Sequence, residues 1–123
     1  MTLLLVVVGA AVGAPLRYLT DLLVQSRHES DFPWGTLTVN GAGSLVLGAT
    51  ASALAATPGD SWVLVLVGTG FCGALTTFST FSFETVRLAQ EGSLLTSAAN
   101  VLASVAVTLA ACAVGWYVVA LVT

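Results

Sequence analysis

Four long stretches of the chain, residues 2–24, 34–56, 62–89 and 94–122, are almost free of charged side chains and are separated only by short polar segments. A bilayer core of about 30 Å takes roughly 20 mostly apolar residues per helical crossing. The pattern therefore predicts an all-α membrane protein with four transmembrane helices, forming one membrane domain over residues 1–123. Composition excludes a water-soluble fold, because a solvated surface needs roughly 25–35% charged residues. This chain has 3 basic and 6 acidic residues among 123, is 57% hydrophobic, and has a mean hydropathy of +0.99. Nucleic acid is excluded as a partner as well, since three arginines without lysine, at a net charge of -3, form no basic patch.

The connecting segments, residues 25–33, 57–61 and 90–93, hold Arg27, His28, Glu29, Asp31, Asp60 and Glu91 and are too short for any extramembrane domain. Trp34, Trp62, Trp116 and Tyr117 stand near span ends, where amphipathic rings favour the headgroup layer. The apolar run from Leu3 to Ala14 has the length of a signal-peptide core but no basic segment before it, and three more spans follow it in any case. Cys72 and Cys112 fall inside spans and read as small apolar fillers. Four crossings put both termini and the second loop on one side, which carries no Lys or Arg; Arg27 and Arg87, with Arg17 near a span end, lie toward the other. So small a bias favours external termini only weakly and permits insertion in both orientations.

The third stretch is the informative one. Its 28 residues would make a straight helix about 42 Å long, more than a bilayer core requires. Its middle holds Gly68, Gly70 and Gly73, followed by Thr76, Thr77, Ser79, Thr80 and Ser82 interleaved with phenylalanine, a poor helix-forming composition. A break is expected within residues 73–77. Irregular backbone at membrane depth survives only where protein buries it or where it lines a wet cavity. Carbonyls freed there are ready ligands for a small hard cation such as sodium. Phe78 and Phe81, three apart, should share a face of the resumed helix with Thr77 and Thr80 beside them. Ring edges are electropositive, so two of them facing a cavity can touch an anion without carrying a full charge.

Two polar stripes accompany the break. Thr36, Asn40, Ser44 and Gly48 recur every four residues in the second span, and Ser93, Ser97, Asn100, Ser104 and Thr108 form a similar row in the fourth. Such residues commonly hydrogen-bond between helices or back to carbonyls. Beside a broken helix they also suggest a polar path. No charged residue lies mid-span in the first, second or fourth segments, and Glu84 falls near the end of the third, so neutral donors are what such a path offers an ion. Arg17 stands four residues before Asp21, a spacing for an interfacial salt bridge or, alternatively, for drawing anions toward a pore mouth. Gly9 and Gly13 form a G-x-x-x-G, although twelve glycines make chance matches common.

The string from Gly73 through Ala74, Leu75, Thr76, Thr77, Phe78, Ser79 and Thr80 to Phe81 resembles the signature of the Fluc (CrcB) fluoride channels. Gly35 to Asn40 with Gly43, Ser44 and Gly48 resembles that family's second-span motif, and the run from Gly9 ending in Arg17 and Tyr18 resembles its opening segment. The resemblance implies an antiparallel, dual-topology homodimer with two fluoride pores, passive export of fluoride across the cell membrane, and a structural sodium ion at the dimer centre. Carried over, the sodium carbonyls fall on Gly73 and Thr76. The pore residues fall on Asn40, Phe78, Phe81, Ser104 and Thr108, with Thr36, Thr77 and Thr80 beside them and Arg17 and Glu84 at the pore mouth or vestibule. The sequence departs from the pattern at Ala74 and Ala10, where glycine is usual, and at Asn100, where tyrosine is frequent. Two other readings fit the size. A drug/proton exporter of the small multidrug resistance type would need a mid-membrane carboxylate in the first span, where none stands. A purely structural membrane subunit would use the stripes only to join helices.

Overall fold

A computed structural model describes every residue except Pro58 and Asp60, so the expected loop position of Asp60 lies outside the described residues. The chain is helical: α1 (Thr2–Ser26), α2 (Trp34–Ala56), α3 (Ser61–Val63), a π-helix (Leu64–Cys72), α4 (Gly73–Leu75), α5 (Ser79–Gln90) and α6 (Leu94–Ala120). Four units are long and apolar enough to cross a membrane, the third being the bent Ser61–Gln90. The outside of the bundle is apolar: Leu102 is 71% exposed and Leu109 67%, which only lipid tolerates on this scale. The apolar interior is small, with Leu37, Val39, Cys72, Leu75 and Leu88 as its buried hydrophobic side chains. Lipid is as apolar as leucine, so burying leucine gains little here and close backbone packing must hold the helices together.

Glycines provide that packing. A Cβ on Gly48 would collide with the carbonyl of Cys112, and one on Gly115 with that of Leu45, so α2 and α6 meet at two reciprocal glycines. Gly9 and Gly13 of α1 do the same against the third span, facing the backbone of Leu66 and Phe71, with Gly70 lying back on Val6 and Gly9. The G-x-x-x-G of the first span is therefore a seam and not a chance match. The π-helix facing it was not legible in the sequence. Each of its amides reaches one residue further back than in an α-helix, a rare geometry that here contains Gly68 and Gly70.

Helix α5 ends in a Schellman turn: Ser93 N donates to Leu88 O at 2.9 Å and Gly92 N to Ala89 O at 3.2 Å, with Gly92 at φ 86°. This turn reverses the chain and lays α6 along α5. A side chain at that φ is strained, so Gly92→Ala is expected to cost about 1 kcal/mol. A drop of a few degrees in the thermal midpoint of the purified protein would register it; an unchanged midpoint would show that the turn carries no such constraint.

The ion pair expected of Arg17 and Asp21 does not form. Among the described residues the one salt bridge is Arg87 to Glu91, at 4.0 Å on the exposed side of α5. Asp21 packs instead against Gly35 at the first turn of α2, where exposed amide N–H groups favour a carboxylate.

Candidate functional site

The third span stops being helical at Thr76, whose ψ of 160° is extended, and resumes at Ser79. The interruption thus covers Thr76 to Phe78, sharing Thr76 and Thr77 with the expected interval and running one residue beyond it, and Gly73 itself is helical, with φ -61° and ψ -35°. The small glycine was the weaker breaking signal and the hydroxyls after it the stronger one. Thr76 Oγ1 donates to Cys72 O at 2.8 Å, closing the first segment on itself. Thr77 Oγ1 accepts from Thr80 N at 3.2 Å, capping the start of α5.

Asn40 of α2 holds the two ends. Its Nδ2 donates to Thr77 O at 2.9 Å and its Oδ1 accepts from Thr77 N at 2.7 Å. One amide side chain thereby replaces both partners that Thr77 lost when the helix broke, which in a medium without water would otherwise cost several kcal/mol per group. The second hydrogen on Nδ2 remains for the cavity that Asn40 borders.

That cavity is a cleft of about 440 Å³ beside the break. Asn40 and Ser44 of α2 form one wall and Ser104, Val105 and Thr108 of α6 another, while α4 contributes Gly73, the break Thr76, Thr77 and Phe78, and α5 Phe81. Phe78 ends the break and is not on the resumed helix; it is 79% exposed, and its ring centroid lies 5.8 Å from that of Phe81 at 45°. Four of the expected positions stand away from the cleft. Thr80 caps the break behind it through a 3.1 Å contact between its Oγ1 and that of Thr77. Arg17 lies on α1, and Thr36 and Glu84 form a separate spot between α2 and α5. The Thr36 hydroxyl and Glu84 Oε2 are both buried there and face each other, with Asp21 and Arg87 as charged neighbours of the carboxyl.

The stripe on the fourth span is largely spent inside the protein. Ser97 Oγ donates to Thr85 O at 2.7 Å, Asn100 Nδ2 to Thr85 Oγ1 at 2.9 Å, and Thr85 Oγ1 to Phe81 O at 2.7 Å. Asn100, 1% exposed, thus ties α6 to α5, and only Ser104 and Thr108 of this row reach the cleft. Thr85 escaped sequence reading because nothing in its own neighbourhood marks it as the partner of Asn100.

Four carbonyls at the break, those of Gly73, Ala74, Leu75 and Thr76, accept no hydrogen bond among the described residues. The N–H four residues after Gly73 belongs to Thr77 and goes to Asn40, and the one four residues after Thr76 belongs to Thr80 and goes to Thr77 Oγ1. Among the described residues no three His, Cys, Asp or Glu side chains gather into a metal-binding group. Free main-chain carbonyls are the donor type that a hard monovalent cation takes, so Gly73 and Thr76 fit such an ion.

Residues 4–116 match the family model described as "CrcB-like protein, Camphor Resistance (CrcB)". The chain is 56% identical over 120 residues to "Fluoride-specific ion channel FluC 1" of Frankia casuarinae, covering 94% of this chain and 93% of that one. It is 52% identical over 122 residues to the protein of the same name from Streptomyces avermitilis, covering 98% of each. A third relative so named, from Thermobifida fusca, is 46% identical over 122 residues, covering 95% of this chain and 98% of that one. Likeness of this depth, running through all four spans and the break, places the chain in the CrcB (Fluc) family.

Proposed function

We propose that this protein is a fluoride-selective ion channel, a multi-pass protein of the plasma membrane and not an enzyme, that lets fluoride leave the cytoplasm down its electrochemical gradient and so gives fluoride resistance. The observation that carries the reading is the cleft. It joins an interrupted helix, a neutral amide and hydroxyls, and two phenylalanine rings, with no carboxylate or basic side chain in its lining. Neutral donors can replace part of an anion's hydration shell without holding it too tightly to leave. The relatives' names, fluoride-specific ion channels, agree with this chemistry.

The working unit is an antiparallel homodimer with two pores. A single chain leaves Phe78 and Gly73 uncovered along the cleft, so the missing wall falls to a second copy. Gly73 and Thr76 would hold a sodium ion at the dimer centre through their free carbonyls, and the ion would supply the positive charge that keeps those carbonyls together. Along the pore, Asn40, Ser104 and Thr108 offer polar contacts and Phe78 and Phe81 offer ring edges. Thr77 and Thr80 position the break, and Thr36, Glu84 and Arg17 belong to its approaches.

Purified protein in liposomes loaded with fluoride and chloride tests the reading. A fluoride electrode should record rapid release on addition of protein, with chloride release negligible by comparison. Equal release of both halides would remove the selectivity, and release of neither from well-folded protein would remove the channel.

A further inference from the structure

Five hydroxyls border the cleft, on Ser44, Thr76, Thr77, Ser104 and Thr108, and they differ in what their protons are doing. Thr76 gives its proton to Cys72 O at 2.8 Å and Thr108 to Ser104 O at 2.6 Å. Thr77 shares with Thr80 Oγ1 at 3.1 Å, and Ser104 is turned toward Asn100 Oδ1 at 3.4 Å. Ser44 alone among them makes no hydrogen bond to the described residues. Its own helix shows the usual alternative. Thr38 donates to Trp34 O and Thr50 to Val46 O, each at 2.8 Å, the four-back pattern of hydroxyls inside helices. Ser44 sits one turn after Asn40 on the same face, half-buried, and does not return its proton to the backbone.

We propose, on the reading of the cleft as a fluoride path, that Ser44 is a fluoride-contacting residue whose uncommitted hydroxyl is the first donor the cleft offers an incoming anion. An anion entering from water must have its lost hydration replaced as it advances. Each of the other four hydroxyls has to leave an internal partner before it can turn toward the ion, whereas Ser44 gives up nothing. Serine also suits the position better than threonine, whose extra methyl narrows its rotamers and favours the four-back carbonyl. The free hydrogen on Asn40 Nδ2 lies one turn away, so the ion passes from one neutral donor to the next along α2.

The test compares the full-length wild type with Ser44→Ala and Ser44→Cys in proteoliposomes, together with their thermal midpoints and size-exclusion profiles. A hydrogen bond to a charged group is worth enough that Ser44→Ala should slow fluoride efflux about tenfold. Its thermal midpoint should not fall, because no protein hydrogen bond is lost and alanine is the better helix former. Ser44→Cys, with a weaker donor of similar size, should fall between the two. Wild-type efflux from Ser44→Ala overturns the inference, as does a lowered midpoint in both variants, which would give the hydroxyl a structural bond. Failure of the wild-type arm to release fluoride is a different result, overturning the channel reading itself.

Discussion

Asn40→Ala is expected to abolish fluoride efflux and to destabilise the fold at the same time. The side chain supplies the acceptor for Thr77 N and the donor for Thr77 O, so its removal leaves two backbone groups unpaired in the membrane interior. Each is worth about 1–3 kcal/mol, which puts the loss at roughly 2–6 kcal/mol, a large fraction of a small protein's stability. Thermal midpoint and efflux should therefore fall together. Asn40→Asp separates the roles. It keeps an acceptor for Thr77 N, loses the donor, and places a negative charge on an anion path. Efflux should drop about a hundredfold or more, with less loss of stability than in the alanine variant. Normal efflux and an unshifted midpoint in Asn40→Ala would show that the break holds without the amide. The sequence pointed to Asn40 as a polar residue facing a path. The structure makes it first the clamp on the break, so conduction and stability are lost together.

Gly48→Val is expected to be the most damaging single change in the helix packing. A Cβ at this position overlaps the backbone of Cys112, and backbone cannot swing aside as a side chain can. Valine would drive α2 and α6 apart along a seam that Gly115 closes from the other side. Overpacking of well-fitted cores typically costs 1–3 kcal/mol, and a backbone collision belongs at or above the upper end of that range. The purified variant should lose its monodisperse size-exclusion peak and most of its efflux. Gly68→Ala is the matched control. The nearest atoms there are the flexible ends of Leu64 and Leu47, which can yield a few tenths of an ångström. If both variants behave alike, glycine seams do not govern the packing of this bundle.

Most of the fold was legible in the chain because solvent choice is a local property. Whether a stretch partitions into lipid depends on the sum of its own side chains. The four spans follow from that sum, and so does the interruption of the third, since glycine and hydroxyl content weakens a helix wherever it stands. The row Thr36, Asn40, Ser44 and Gly48 shows where legibility ends. Periodicity put the four on one face of α2, yet the fold gives them separate tasks. Gly48 meets α6, Asn40 clamps the break, Ser44 keeps a free donor in the cleft, and Thr36 faces Glu84.

What this sequence determined unaided was therefore its solvent, its number of crossings and the place where one of them gives way. Tertiary structure alone decided which donors are spent and which are free, which glycines touch, and that Asp21 turns to α2 instead of Arg17. Partition into lipid adds up residue by residue along the chain. A hydrogen bond or a backbone contact exists only between two groups, and Asn40 and Thr77 are 37 positions apart.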